Sequence, residues 1–175
     1  SIAFRNKDRG SFLYGVDEDI SIWEQLCPRH QCHVLKSRCV SKEVALGFLK
    51  DCLSALRQQG AVDVGIYYTG HGEENTGGLV FTDGVVSAEE FHDAVNSSYA
   101  QCQLRSLICD SCYSGKFVHD VMVTGGVQYG VAACGKSELA TDTRSGGVFT
   151  KWATCRDALE WRRCSDHRLL EHGPE

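Results

Sequence analysis

Apolar residues fall into two rhythms along this chain. One repeats every three to four positions. Ala45, Phe48, Leu49, Cys52, Leu53 and Leu56 share one stripe of a helix, with Ser41 placed to cap its start and Gly60 to close it. A second helix is predicted from Asp17 to Cys27, acidic in its first turn, with Ile20, Trp23, Leu26 and Cys27 at helical spacing before Pro28. A third opens on the capping box Ser87-Ala-Glu-Glu90 and continues through Phe91, Ala94 and Val95. The other rhythm is strand-like: short β-branched and aromatic runs that stop at turn residues. Ile2–Phe4, His33–Leu35, Val62–Thr69, the run ending at Asp110, and Val127–Cys134 read this way. Gly78–Val86 reads as a hairpin turned at Asp83-Gly84. The stretch between Cys112 and Val127 reads as a short glycine-rich loop. Ser145–Thr150 leads into a last helix through Trp152, Leu159 and Trp161, and residues 164–175 carry no signal. This order of elements predicts an α/β fold, with a mostly parallel central sheet flanked by helices on both faces.

Composition narrows the picture. A chain of 175 residues with 42% hydrophobic content can bury a core as one domain, here taken as residues 1–175 with no final strand visible after Trp161. A net charge of −5 disfavours nucleic acid or an anionic membrane as the main partner. No apolar run has the length of a membrane span, and no signal-peptide pattern is present. The chain opens on Ser1, so it is expected to be cut from something longer. Ten cysteines raise the alternative of a disulfide-stapled secreted domain. Cys52 lies on a helical stripe, and Cys109 and Cys134 end apolar runs, as buried free thiols do. A reducing, cytoplasmic setting is therefore expected.

Two strand ends carry the candidate chemistry. Val62-Asp-Val-Gly-Ile-Tyr-Tyr-Thr-Gly-His-Gly72 ends in a histidine between glycines. Leu107-Ile-Cys-Asp-Ser-Cys-Tyr-Ser-Gly115 ends in an acid, a thiol and a glycine. Parallel neighbours lie about 5 Å apart, and open α/β sheets place ligands at the carboxyl ends of their strands. His71 and Cys112 would emerge side by side there, as a thiol nucleophile and its base require. A free thiol is mostly protonated at neutral pH, and a neighbouring imidazole can take that proton. The backbone N–H groups of Gly72 and Cys112 are candidate donors to an oxyanion. Cys109-x-x-Cys112 also fits a redox dithiol, although such pairs normally follow an early strand. A zinc site from Cys109, Cys112 and His71 lacks an evident fourth ligand.

Tyr68-Thr-Gly-His-Gly72 and Cys109-Asp-Ser-Cys-Tyr-Ser-Gly115 together resemble the two active-site boxes of caspase-like cysteine peptidases, particularly the metacaspase and paracaspase branch. The resemblance covers roughly residues 1 to 160 in matching element order. It implies a caspase-like three-layer sandwich, Cys112 as nucleophile, His71 as base, and peptide-bond hydrolysis through an acyl-enzyme. Caspases proper carry glutamine two positions before the nucleophile. Asp110 stands there in this chain, which would repel an aspartate side chain and attract arginine or lysine. The arginine-specific branch lines its pocket with two more acids. Val16-Asp17 and Cys134-Gly-Lys-Ser-Glu138 match their contexts, so the resemblance implies Asp17, Asp110 and Glu138 as substrate-binding residues. Three such carboxylates would raise one another's pKa until a guanidinium arrives.

Tyr113 departs from the histidine usual in metacaspases. Glu73, Glu74, Asp83, Glu89 and Glu90 follow no calcium-ligand spacing, so no metal or cofactor is expected, with calcium, which many metacaspases need, left open. The expected partners are protein or peptide substrates with a basic residue before the cut, with assembly as a homodimer left open. The rival readings are a catalytically silent caspase-like interaction module and an Asp-specific caspase.

Overall fold

The computed structural model describes residues 2–4, 13, 15–26, 33–35, 40–99, 104–143 and 146–150. In chain order the elements are β1 (Ile2–Phe4), α1 (Val16–Leu26), β2 (His33–Leu35), α2 (Lys42–Gln58), β3 (Asp63–Thr69), β4 (Leu79–Phe81) and β5 (Gly84–Val86). They continue with α3 (Ala88–Tyr99), β6 (Leu104–Asp110), α4 (Ser114–Val123), β7 (Tyr129–Ala132), β8 (Asp142–Thr143) and β9 (Gly146–Gly147). Five strands form one sheet in the order β2-β1-β3-β6-β7, every neighbouring pair parallel. The fold is thus α/β with a parallel sheet between helices, the class expected from the sequence.

Alternation along the central strands sets the two faces. Val64, Ile66 and Tyr68 of β3, with Leu107 and Cys109 of β6, point into the larger core. There they meet Leu49 and Leu53 of α2, Phe91 and Val95 of α3, and Phe117 and Val121 of α4. The intervening residues Tyr67 and Ile108 face the other way and pack on Val16, Ile20 and Trp23 of α1. The strands are buried on both faces, which is why they read as near-continuous apolar runs.

Local chemistry sets the helix ends. The Ser41 hydroxyl accepts the Val44 N–H at 3.2 Å. Past the end of α2, Gly60 adopts φ +72 and donates to Arg57, while the Ala61 N–H reaches Leu56. Ser87 and Glu90 exchange their reciprocal bonds at 3.0 and 3.2 Å.

Some expectations change. The stretch after Cys112 is not a loop: Ser114–Val123 is helix α4, with Ser114, Phe117, Val118 and Val121 buried along one face. Its glycine had suggested a loop. Gly115 instead lets the first turn press against the next strand's end, because a Cβ there would lie 2.7 Å from the Cys134 carbonyl oxygen. The β4–β5 turn is Thr82-Asp83, one residue earlier than the sequence suggested, since Phe81 pairs with Gly84. Asp83 instead accepts the Lys42 N–H at 2.7 Å. Strand β7 is shorter than Val127–Cys134, and the β8–β9 pairing was not foreseen. A helical turn opens at Val148. The helix expected through Trp152, Leu159 and Trp161 lies outside the described residues. Among the described residues no helix is long and apolar enough to cross a membrane.

Leu107 is fully buried between α2, α3 and α4. Leu107→Ala is expected to lower stability by about 2–5 kcal/mol, measured by denaturant unfolding.

Candidate active site

The β3–β6 ladder places the two candidate reacting side chains. Its last register pair is Thr69 with Asp110. His71 and Cys112 each follow two residues later, so both loops leave the sheet at the same level. They also touch. A Cβ on Gly72 would overlap the Cys112 carbonyl, so only glycine lets the histidine loop lie against the cysteine loop. His71 and Cys112 line one hollow at the carboxyl end of the sheet.

Each loop is held from behind. The hydroxyl of fully buried Tyr68 donates to the His71 carbonyl at 2.8 Å and toward the Val80 carbonyl at 3.3 Å. The Val80 N–H also reaches the His71 carbonyl, and Glu73 pairs with Gly78, bridging the loop to the β4–β5 hairpin. The Gly72 N–H takes no part in that bridge. On the cysteine side, Tyr113 sits in the left-handed region at φ 57, the non-glycine residue with positive φ among those described. Such a conformation costs on the order of 1–3 kcal/mol and turns the chain sharply from strand into helix. The Tyr113 N–H is anchored on the Glu138 carbonyl at 2.8 Å. The Cys134 thiol lies 3.3 Å from the Ser111 carbonyl and 3.2 Å from the Glu138 carbonyl, supporting the same turn.

Burial raises the Cys112 thiol above its ordinary pKa, and Sγ points its proton at the Ala140 carbonyl 3.9 Å away. The resting thiol is therefore protonated at neutral pH and needs a base to become a nucleophile. Cys109 lies wholly within the core, its thiol pushed up to about 12, chiefly by burial. That is the state of an inert packed thiol and does not suit a dithiol partner. Cys52, Cys109, Cys112 and Cys134 are all free.

The floor of the hollow is acidic. Asp19, Asp110 and Asp142 line it with Thr69, Gly147, His71 and Cys112. Asp110 is buried, and its Oδ2 accepts the Thr150 hydroxyl at 2.6 Å and the Thr150 N–H at 3.2 Å. With that hydroxyl proton committed, Tyr67 donates its own to Thr150, at 2.7 Å. Asp19 is 1% exposed and accepts the Gly147 N–H at 2.7 Å and the Thr69 hydroxyl at 3.1 Å. Gly147 separates the two acids: a Cβ there would strike Asp110 Oδ2 and lie 3.2 Å from Asp19 Oδ2. Burial, then the charge of Asp110, pushes Asp19 up to about 7. Burial also pushes Asp110 up to about 6 against the two Thr150 bonds. Among the described residues, no lysine or arginine lines the hollow. Its interior holds about 30 Å³, room for water but not for a long side chain.

The sequence-derived acids divide. Asp110 lies where its offset from Cys112 put it. Asp17 is exposed on α1 and does not line the hollow; Asp19, half a turn on, takes that place. Glu138 is also exposed, and its carboxylate turns back to accept the Gly135 N–H at 2.6 Å, leaving Asp142 as the third acid of the lining. A signal for Asp19 was present: it shares the stripe of Val16, Ile20 and Trp23, and an acid on an apolar face is held there for a reason. Nothing in the spacing pointed to Asp142, Tyr68 or Thr150. Among the described residues no group of three or more His, Cys, Asp or Glu side chains is arranged to hold a metal ion. Comparison with protein-family models and with curated proteins finds no match for this chain.

Asp19 also makes stability depend on pH. Its folded pKa of about 7 lies above the unfolded value. Its favourable contribution is therefore complete below pH ~4 and is lost as pH rises through ~7. Asp19→Asn removes that loss. The variant is expected to melt above the parent at pH 8, by on the order of 2 kcal/mol, with the gap closing toward pH 5. Thermal unfolding across that range measures it.

Proposed function

We propose that this chain is a caspase-like cysteine endopeptidase that hydrolyses peptide bonds after arginine or lysine. The observation that carries the proposal is the Thr69–Asp110 pairing, which brings an imidazole and a thiol to one hollow whose floor is acidic. The Cys112 Sγ attacks the scissile carbonyl carbon while His71 takes the thiol proton. The carbonyl oxygen becomes an oxyanion, for which the Gly72 and Cys112 N–H groups are the candidate donors. As the carbon–nitrogen bond breaks, His71 gives its proton to the leaving amine, and a thioester to Cys112 remains. Water, deprotonated by His71, attacks the thioester, releasing a carboxylate and restoring the thiol.

Asp19 and Asp110 supply selectivity. A guanidinium or ammonium entering the hollow meets carboxylates, whereas an aspartate side chain would be repelled. This favours basic substrates over those of an Asp-specific caspase. The narrowness of the hollow and the raised Cys112 pKa are the features that suit the rival reading, a silent caspase-like interaction module.

Fluorogenic peptides with Arg, Lys, Asp or Ala before the scissile bond separate these readings. Cleavage is expected after Arg and Lys and is expected to vanish in Cys112→Ala. Asp110→Asn should lower kcat/KM for the Arg peptide by about two orders of magnitude, as loss of one partner of a buried charge pair does. Cleavage after Asp would replace the proposal with an Asp-specific enzyme, and no cleavage under any condition would favour the silent module.

A further inference from the structure

We infer that Asp19 and Asp110 form one proton-sharing receptor, and that a cationic side chain enters the hollow in exchange for a proton. The inference deepens the selectivity proposed above and rests on it. It starts from geometry. Asp19 comes from the first turns of α1 and Asp110 from the end of β6, and both carboxylates crowd the Cα of Gly147. That contact puts Asp19 Oδ2 and Asp110 Oδ2 within the roughly 6 Å over which like charges alter each other's protonation. Their hydrogen-bond partners are neutral: Thr69, Thr150 and the Gly147 N–H.

Strand β3 offers Tyr67, neutral because burial and both aspartates raise it. Strand β8 offers Asp142, a further negative charge, which accepts the Gly15 N–H at 3.2 Å. The loops after β3 and β6 offer His71 and Cys112. Thus, among the described residues, no lysine or arginine lining the hollow compensates two buried acids, and near neutral pH the pair retains a proton. A guanidinium supplies the missing positive charge and makes the doubly ionised pair the stable form. The proton leaves to solvent. Asp19 thereby becomes a selecting residue, coupled to Asp110 across a glycine that admits no side chain.

Benzamidine tests this because its amidinium stays charged across the useful pH range. Its binding to the Cys112→Ala protein is measured by calorimetry from pH 5.5 to 8.5, in buffers of different ionisation enthalpy. Exchange predicts release of close to one proton at pH 6.5. Affinity should fall about ten-fold per pH unit below ~7 and level off above ~8. In Asp19→Asn the pH dependence should flatten. If it persists there unchanged, Asp19 is not its source and the inference is overturned. Equal heats in all buffers would overturn it too, even with Asp19→Asn poorly folded, because that measurement needs no second substitution. Absence of benzamidine binding at every pH would instead contradict the basic-residue selectivity on which the inference rests.

Discussion

Everything at the rim follows from how β3 pairs with β6. In a sheet buried on both faces, register is fixed by which side chains each layer accepts. Leu107 and Cys109 belong with the three-helix layer, and Ile108 and Asp110 with α1. A slip of one residue would drive Asp110 into the apolar core and expose Leu107 to the acidic side. The burial that stabilises the sheet therefore also sets Thr69 opposite Asp110, and with it the common height of His71 and Cys112. Packing and chemistry share one constraint, so the site needs no separate scaffold.

The unfavourable features of the molecule gather around that rim. Two carboxylates are buried close together, a tyrosine holds a left-handed conformation, and the Cys112 thiol is partly desolvated. Each has local support. Thr150 gives Asp110 two bonds, Gly147 and Thr69 hold Asp19, and the Glu138 carbonyl anchors the Tyr113 turn. Strain and unfavourable charge concentrated in one place, with the surroundings fixing them there, is the pattern of a site shaped for a ligand. On the proposed reading, a positive group completes the acids and the neighbouring imidazole activates the thiol.

Much of this was legible in the chain, for reasons that differ by residue. The stripe of α2 and the apolar runs of β3 and β6 are long and strongly periodic, so both their type and their placement could be read. Asp110 was readable because its distance from Cys112 along a strand determines the side of the sheet it takes. Asp19 was obscured by Asp17, which has the same chemistry and a more familiar context. Only the helical face separates the two, and Asp19 is on the face with Ile20. Helix α4 was hidden by Gly115, whose role is a close backbone approach to the neighbouring loop, where a Cβ would lie 2.7 Å from the Cys134 carbonyl oxygen, a proximity no local pattern encodes. Asp142 reaches the hollow through the pairing of two short strands, a tertiary event without a sequence rhythm.

The most direct measurement of whether thiol, imidazole and acidic floor act together is affinity labelling with paired peptidyl chloromethyl ketones, one ending in arginine and one in aspartate. The label's position is read by mass spectrometry. The arginine reagent should alkylate Cys112 selectively, leave Cys134 untouched, and lose most of its rate in His71→Ala, while the aspartate reagent reacts slowly. Equal labelling by both reagents, labelling centred on Cys134, or a rate indifferent to His71 would contradict the shared site.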